Sequence, residues 1–203
     1  MTAPRIPLPG PDEMNAAQRA VYDKIVSGPR GTLVGPLRAA LHNPSLADAW
    51  QALGQVLRFE TSLPRSLNEL AILVTARHWN SELEWTIHAE AARAAGLDGA
   101  VIEAIRTCKV PDFTCAEERE IYEFSRELLE KGKAGDGAYA AILTRWDAIG
   151  AVELSALIGY YSMVAMTLNN HGIPLPDHIP AELNSAPQTR TTLPASPVKA
   201  AAE

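Results

Sequence analysis

The sequence contains few of the patterns that identify redox, metal-binding or nucleic-acid-binding proteins. Its 203 residues include only two cysteines, Cys108 and Cys115, and their spacing matches neither a C-x-x-C redox pair nor a set of metal ligands. We interpret them as free thiols or small buried residues, and a reversible disulfide across the short loop between them stays open. A net charge of −6 and the lack of a basic run argue against nucleic acid as a partner.

Signals for a membrane or for export are also lacking. No apolar segment approaches the roughly 20 uncharged residues that a membrane span needs. The N-terminal stretch MTAPRIPLPGPDEM has no apolar core of the kind found in a signal peptide. We therefore expect a cytoplasmic protein that does not interact with a membrane.

The sequence also lacks the patterns of β-strands, which predicts an all-α fold. No segment alternates with period two, and few runs are β-branched. The apolar content of 47% is enough for a core. We predict a proline-rich arm over residues 1–11, one helical domain over 12–186, and a disordered or surface-lying tail over 187–203, which has no apolar period.

Glycine, proline and capping residues divide the domain into helices. Ser45 is predicted to cap one of them, and the next begins near Pro64, either with Pro64 as its first residue or with Ser66 as its cap. The other boundaries follow from breaks such as Gly28-Pro29 and from Gly96. The predicted helices are 12–27, 37–42, 45–59, one from about 64, 82–95, 97–107, 116–131, 138–146 and 151–168.

The candidate site lies between residues 68 and 96, where Glu69 precedes the run LAILV. That run is apolar on all sides, as in a helix that is buried on most faces. Arg77 returns to within about 80° of the face that carries Glu69, so it is the expected partner of a buried carboxylate. A second interpretation stays open, in which Ser66 caps the helix and Glu69 completes a capping box.

A second group of candidates follows on the next helix. Ser81, Glu84, Trp85 and His88 recur at helical spacing and should share one face. A histidine titrates near neutral pH and can carry a proton, and a carboxylate beside it would raise its pKa and fix its tautomer. The alternatives are a structural, hydrogen-bonded histidine and a tryptophan that only forms a wall of the core or of a pocket.

These residues resemble a known family. Glu69 and Arg77, followed by SELEWTIH at 81–88 and AAGL at 94–97, are similar to the carboxymuconolactone decarboxylase family, whose superfamily includes the AhpD-type alkylhydroperoxidases. The likeness runs from about residue 13 to 180 and includes GPRG at 28–31 and GYY at 159–161. It implies an all-helical fold and homo-oligomers, commonly trimers or hexamers.

Departures from the AhpD pattern bear on the chemistry. AhpD-type members carry C-x-x-C-x-x-x-H, whereas this chain has Ser81 and Glu84 at the two cysteine positions. A serine has no comparable thiolate fraction, and a carboxylate cannot resolve a disulfide, so thiol peroxidase chemistry is not expected at this site. The remaining residues resemble the non-redox branch, for which the family implies cofactor-free decarboxylation or isomerisation of a small lactone or ring acid.

We therefore predict a lyase that acts by proton transfer without a cofactor. Loss of CO₂ leaves a dienolate-like anion that must be stabilised and protonated on carbon. Candidate catalytic residues are Glu69, Glu84 and His88, and candidate substrate-binding residues are Arg30, Arg58, Arg77, Trp85 and Ser81.

Other functions remain open from the sequence. They are a peroxidase that uses Cys108 and Cys115, a hydrolase or isomerase with the same Glu/His pair, and a non-catalytic ligand-binding homologue. Two carboxylates and a histidine would also suit zinc or manganese, although the resemblance gives a metal little support.

Overall fold

A computed structural model describes residues 3–177, 179–183 and 190–197. The described residues form eight α-helices and contain no strand, which confirms the all-α prediction. Of the predicted tail, residues 187–189 and 198–203 lie outside the described residues. A 3-10 turn (Pro11–Glu13) precedes the helices, which are α1 (Ala16–Ser27), α2 (Pro36–Ala40), α3 (Pro44–Phe59), α4 (Arg65–His78), α5 (Glu82–Ala94), α6 (Gly99–Arg106), α7 (Ala116–Lys131) and α8 (Asp136–His171).

Helix α4 forms the centre of the fold. Every residue from Leu67 to His78 is buried, and α4 contacts α5, α7 and α8. Its apolar run is therefore surrounded by other helices, as the sequence predicted. A polar residue on this helix must find its partner inside the protein, and this requirement decides the environment of Glu69.

Two predicted helix caps are wrong. Helix α4 begins at Arg65 with Pro64 as its N-cap, and the Pro64 carbonyl accepts the backbone N–H groups of Leu67 and Asn68. Ser66 is thus already helical, which excludes the capping box with Glu69. In α3 the cap is Asn43 rather than Ser45, because the Asn43 side chain accepts the N–H of Leu46 at 3.2 Å.

Helix α8 joins the two helices predicted over 138–146 and 151–168. They are continuous except at Asp147, whose positive φ of 53° kinks the chain and whose carboxylate accepts the N–H of Ile149 at 2.6 Å. By length and composition α8 could cross a membrane, contrary to our prediction that no segment is apolar enough. Half of its most apolar window is buried inside the protein, and core helices of soluble proteins share this property.

The described parts of the arm and of the C-terminal region lie against the helices. The backbone N–H and the guanidinium of Arg5 donate to carbonyls at the end of α8. Thr191 donates its N–H to His78 at the end of α4, and Tyr122 of α7 donates to the Pro194 carbonyl at 2.7 Å. The division into arm, domain and tail stays a prediction.

Candidate active site

One cavity brings together several of the predicted site residues. It is bounded by the loop before α2, by α3, by α5 and by α8. The space open to water inside it is about 50 Å³, enough for a few water molecules, so a ring-sized ligand requires lining side chains to move apart. The lining residues are Arg30, Val34, Gly35, Pro36, Leu37, Arg58, Leu83, Glu84, Ile87, His88, Tyr160, Tyr161, Val164 and Leu168.

Helix α5 contributes Glu84 and His88, which lie one turn apart and both face the cavity, as their spacing predicted. The Glu84 side chain is buried, and neither carboxyl oxygen has a hydrogen-bond partner among the residues that the structure describes. Burial therefore raises the pKa of Glu84 well above its ordinary value. The Ser81 hydroxyl opposes this rise but does not form a hydrogen bond to the carboxyl group. Glu84 therefore keeps its proton to a higher pH than an exposed carboxyl group does.

The carboxylate beside His88 is Glu69, not its neighbour on the same helix. His88 Nδ1 lies 2.6 Å from Glu69 Oε2, and both side chains are buried. A carboxylate accepts the Nδ1 proton, which leaves Nε2 as the basic nitrogen of a neutral imidazole. Burial, aided by Arg58 and Arg30, lowers the pKa of His88, whereas Glu69 raises it, as predicted for a neighbouring carboxylate; the net shift of the pKa is downward.

Two arginines face the cavity and have no carboxylate partner among the described residues. Arg30 lies in the loop after α1, and Arg58 lies near the end of α3. The Nε atom of each is buried and makes no hydrogen bond, and neither arginine forms an ion pair with any part of the chain that the structure describes. Holding two half-buried like charges on one cavity without an acid is unfavourable, and an anionic ligand would offset that cost.

Four predicted site residues do not line the cavity. Arg77 turns away from Glu69 and donates to the Arg106 carbonyl at 2.9 Å and to Asn80. The predicted Arg77–Glu69 pair and the role of Arg77 in substrate binding are therefore wrong.

The other three are buried close to the cavity lining. Trp85 donates its indole N–H to Glu182 at 3.1 Å. Ser81 is fully buried at the start of α5. Glu69 contacts His88 but does not itself line the cavity, so it can orient the imidazole without reaching a ligand. Glu69 is therefore placed to position His88, and this geometry does not support its predicted catalytic role.

Sequence reasoning assigned no role to Tyr160 and Tyr161, which form the α8 wall of the cavity. Tyr161 contacts the His88 ring edge-on, with 4.8 Å between ring centroids. The doublet GYY was part of the family resemblance, but only the packing of α8 against α3 and α5 shows that both rings face the site.

Neither a metal site nor a thiol site coincides with the cavity. Among residues 3–177, 179–183 and 190–197, no group of three His, Cys, Asp or Glu side chains is arranged to hold a metal ion. Cys108 and Cys115 are free thiols, and neither lines the cavity. Burial also raises the pKa of Cys115, which disfavours a reactive thiolate.

The buried proton of Glu84 should be visible in the pH dependence of stability. In the unfolded chain Glu84 titrates near 4.5, whereas the folded chain keeps the proton to higher pH. The free energy of unfolding should therefore fall as pH rises from 4.5 to the raised folded pKa, and Glu84→Gln should remove this fall. Urea unfolding from pH 4 upward should show a stability difference, variant minus wild type, that grows with pH.

The histidines and a control variant complete this test. His78 and His88 have lowered pKa values, so each increases stability as pH rises towards 6.5, but both are present in the two proteins compared. The exposed Glu90 on the same helix provides the control Glu90→Gln. A difference that does not depend on pH would show that Glu84 titrates as an ordinary carboxylate.

Comparison with known proteins supports the fold. No family model and no curated protein matches the sequence. A solved structure, the crystal structure of an alkylhydroperoxidase AhpD core described as an uncharacterized peroxidase-related protein from Ralstonia eutropha JMP134, is similar with a TM-score of 0.70. The match covers 87% of this chain and 94% of that one at 14% identity, so it shows an AhpD-like helical fold and no particular activity.

Proposed function

We propose that the protein is a cofactor-independent lyase of the decarboxylase type that acts on a small carboxylated lactone or a related ring acid. The observation that carries this proposal is the cavity itself. Within the described part of the chain, it combines a buried carboxyl group without hydrogen-bond partners, a neutral histidine and two arginines without counter-ions. The arginines would bind an anionic substrate, and the carboxyl group and the imidazole would move protons.

Decarboxylation would use Glu84 as the proton donor. The bond between the ring carbon and the substrate carboxylate breaks, CO₂ leaves, and the electron pair remains as a dienolate. The positive charges of Arg30 and Arg58 on the cavity wall stabilise its negative charge. The Glu84 carboxyl group then gives its proton to carbon and takes another from water, so the enzyme returns to its starting state.

Isomerisation is a second candidate, which the state of His88 favours. Because Glu69 accepts from Nδ1, the neutral ring has a basic Nε2 that can take a proton from a carbon next to a carbonyl. Glu84 would return a proton at another carbon, and no CO₂ would be lost. The two reactions share an enolate and differ in the bond that is broken first.

The experiment is a screen of carboxylated lactones and ring acids in D₂O. We expect at least one compound to lose CO₂, or to isomerise, with a single deuterium on carbon by NMR. Cys108→Ser/Cys115→Ser should keep this activity, since neither thiol lines the cavity. Turnover of peroxide that the double variant loses, with no reaction in the screen, would favour the peroxidase function instead.

We also infer that the protein is a homo-oligomer. The family resemblance implies a trimer or a hexamer. Helix α8 carries a stripe of exposed or half-buried residues that are separated in turn by three and four positions. This spacing is typical of a helix face that packs against another helix. Ile149 is 60% and Val152 is 68% exposed. Gly159 faces open space, so another helix could approach closely there. The stripe consists of Ile149, Val152, Ala156, Gly159, Met163 and Met166.

Val152→Glu should shift the protein towards monomer, because a charge in this stripe would be buried in the interface. Light scattering after size-exclusion chromatography measures the mass. Val110→Glu is the matched control, since Val110 is exposed in the loop between α6 and α7 and is not part of the stripe. A monomeric wild type, or an oligomer that Val152→Glu leaves intact, would contradict the assignment of this surface.

A further inference from the structure

The Tyr160 hydroxyl lies among hydrogen-bond donors. Arg30 Nη2 donates to it at 3.4 Å. The ring of Trp50 meets that of Tyr160 edge-on at 6.5 Å between centroids, and its buried indole N–H has no hydrogen-bond partner of its own. Burial raises the pKa of Tyr160, while Arg30 and the nearby Trp50 N–H oppose the rise, so both groups favour negative charge on the phenolic oxygen.

These neighbours leave the hydrogen of the hydroxyl without an acceptor. A guanidinium and an indole N–H can donate but cannot accept. Within the described part of the chain, the Tyr160 hydroxyl forms a hydrogen bond only with Arg30, and in that bond it is the acceptor. Tyr160 also lines the cavity, so its O–H is available to an oxygen atom of a ligand there.

Gly54 makes this arrangement possible. It lies on α3 one turn before Arg58, and a Cβ atom at this position would overlap the Tyr160 hydroxyl and the Arg30 guanidinium. Glycine inside a helix costs roughly 0.5–1 kcal/mol relative to alanine, so a close approach of this kind accounts for its presence. The missing side chain allows Tyr160 and Arg30 to occupy the same wall of the cavity as Arg58.

The geometry points to Tyr160 as a binding residue that donates a hydrogen bond to a carbonyl oxygen of the substrate, while Arg30 and Arg58 bind its carboxylate. The inference rests on the proposed function, in which the substrate is an anion. It adds the requirement that the substrate also carry a carbonyl oxygen. The site would select small acids that carry a carbonyl oxygen in addition to the carboxylate, such as lactone acids. It would discriminate against ring acids that lack that oxygen, because the buried donors would then stay unpaired.

Two stable probes separate the two interactions. Both γ-butyrolactone-γ-carboxylate and tetrahydrofuran-α-carboxylate have a five-membered ring and a carboxylate, and they differ by the lactone carbonyl. Calorimetry on the full chain should give a lower Kd for the lactone acid. Tyr160→Phe should raise that Kd about tenfold, the effect of one lost hydrogen bond to a buried group, and leave the other Kd within about twofold.

Controls make this result interpretable. Phenylalanine keeps the ring that contacts Trp50 and Tyr161, and unchanged binding of the tetrahydrofuran acid shows that the variant is folded. Arg58→Met should weaken both probes alike. The inference would be overturned if Tyr160→Phe weakened the binding of both probes equally or of neither, or if the wild type bound neither probe. If the binding pattern is found and the D₂O screen is negative, the lyase proposal fails while the binding role of Tyr160 stands.

Discussion

Glu84→Gln should lower kcat by about two to four orders of magnitude, the contribution that a positioned general acid commonly makes. Glutamine has almost the same shape as glutamic acid but cannot give a proton to carbon. Neither carboxyl oxygen of Glu84 makes a hydrogen bond to the part of the chain that the structure describes, so the substitution removes no hydrogen bond seen there. The loss should therefore appear in kcat, with a much smaller change in KM, in steady-state kinetics on a substrate from the screen.

The control for this prediction is on the same helix. Glu90→Gln makes the same side-chain replacement at an exposed position and should leave kcat within about twofold. Unchanged kcat in Glu84→Gln would exclude Glu84 as the proton donor. A rise in KM at constant kcat would instead assign Glu84 to substrate binding.

Gly54→Ala should abolish most of the binding to carboxylate ligands and also destabilise the protein. The added Cβ would lie 2.6 Å from Cζ of Tyr160 and still closer to the Arg30 guanidinium. Arg30 is flexible and can move away, which would cost the cavity one of its two cations, whereas the Tyr160 ring is fixed between Trp50 and Tyr161. We expect at least a tenfold higher Kd for both probes and a loss of about 1–3 kcal/mol, as for other overpacked sites.

A second glycine provides the comparison. A Cβ at Gly137, in the first turn of α8, would meet no atom within 4 Å, so Gly137→Ala should leave binding unchanged and be neutral or stabilising by up to about 1 kcal/mol. Chemical unfolding and calorimetry measure the two quantities. Gly54→Ala with wild-type affinity and stability would show that the wall formed by Tyr160 and Arg30 does not depend on this glycine.

Local patterns in the sequence were sufficient to predict most of the helices and one face of the site. Helix α7 runs from Ala116 to Lys131 as its amphipathic pattern predicted. Glu84 and His88 were placed on one face because their spacing depends only on the geometry of their own helix. The start of α4 was less predictable, since Pro64, Ser66 and the residues before them offered competing caps.

The partners across the cavity depend on packing, which a single sequence does not reveal. Arg77 was paired with Glu69 because both lie on α4, yet eight residues leave them about 80° apart, and the packed helices turn Arg77 towards Arg106 and Asn80. Glu69 pairs instead with His88, 19 residues away on α5. The glycine inside α3 was the signal that could have identified the close approach of Tyr160 and Arg30.

The first turn of α5 contacts residues from near the C-terminal end of the chain, and this affects when the site can form during synthesis. The Glu82 carboxylate accepts the backbone N–H of Leu183 at 3.0 Å, and the Trp85 indole donates to Glu182, across 101 and 97 residues of chain. A nascent chain that has released α5 from the ribosome must therefore wait for about a hundred further residues before these bonds can form. Until then, the helix that carries Glu84 and His88 lacks the partners of its first turn, so translation would complete the site late.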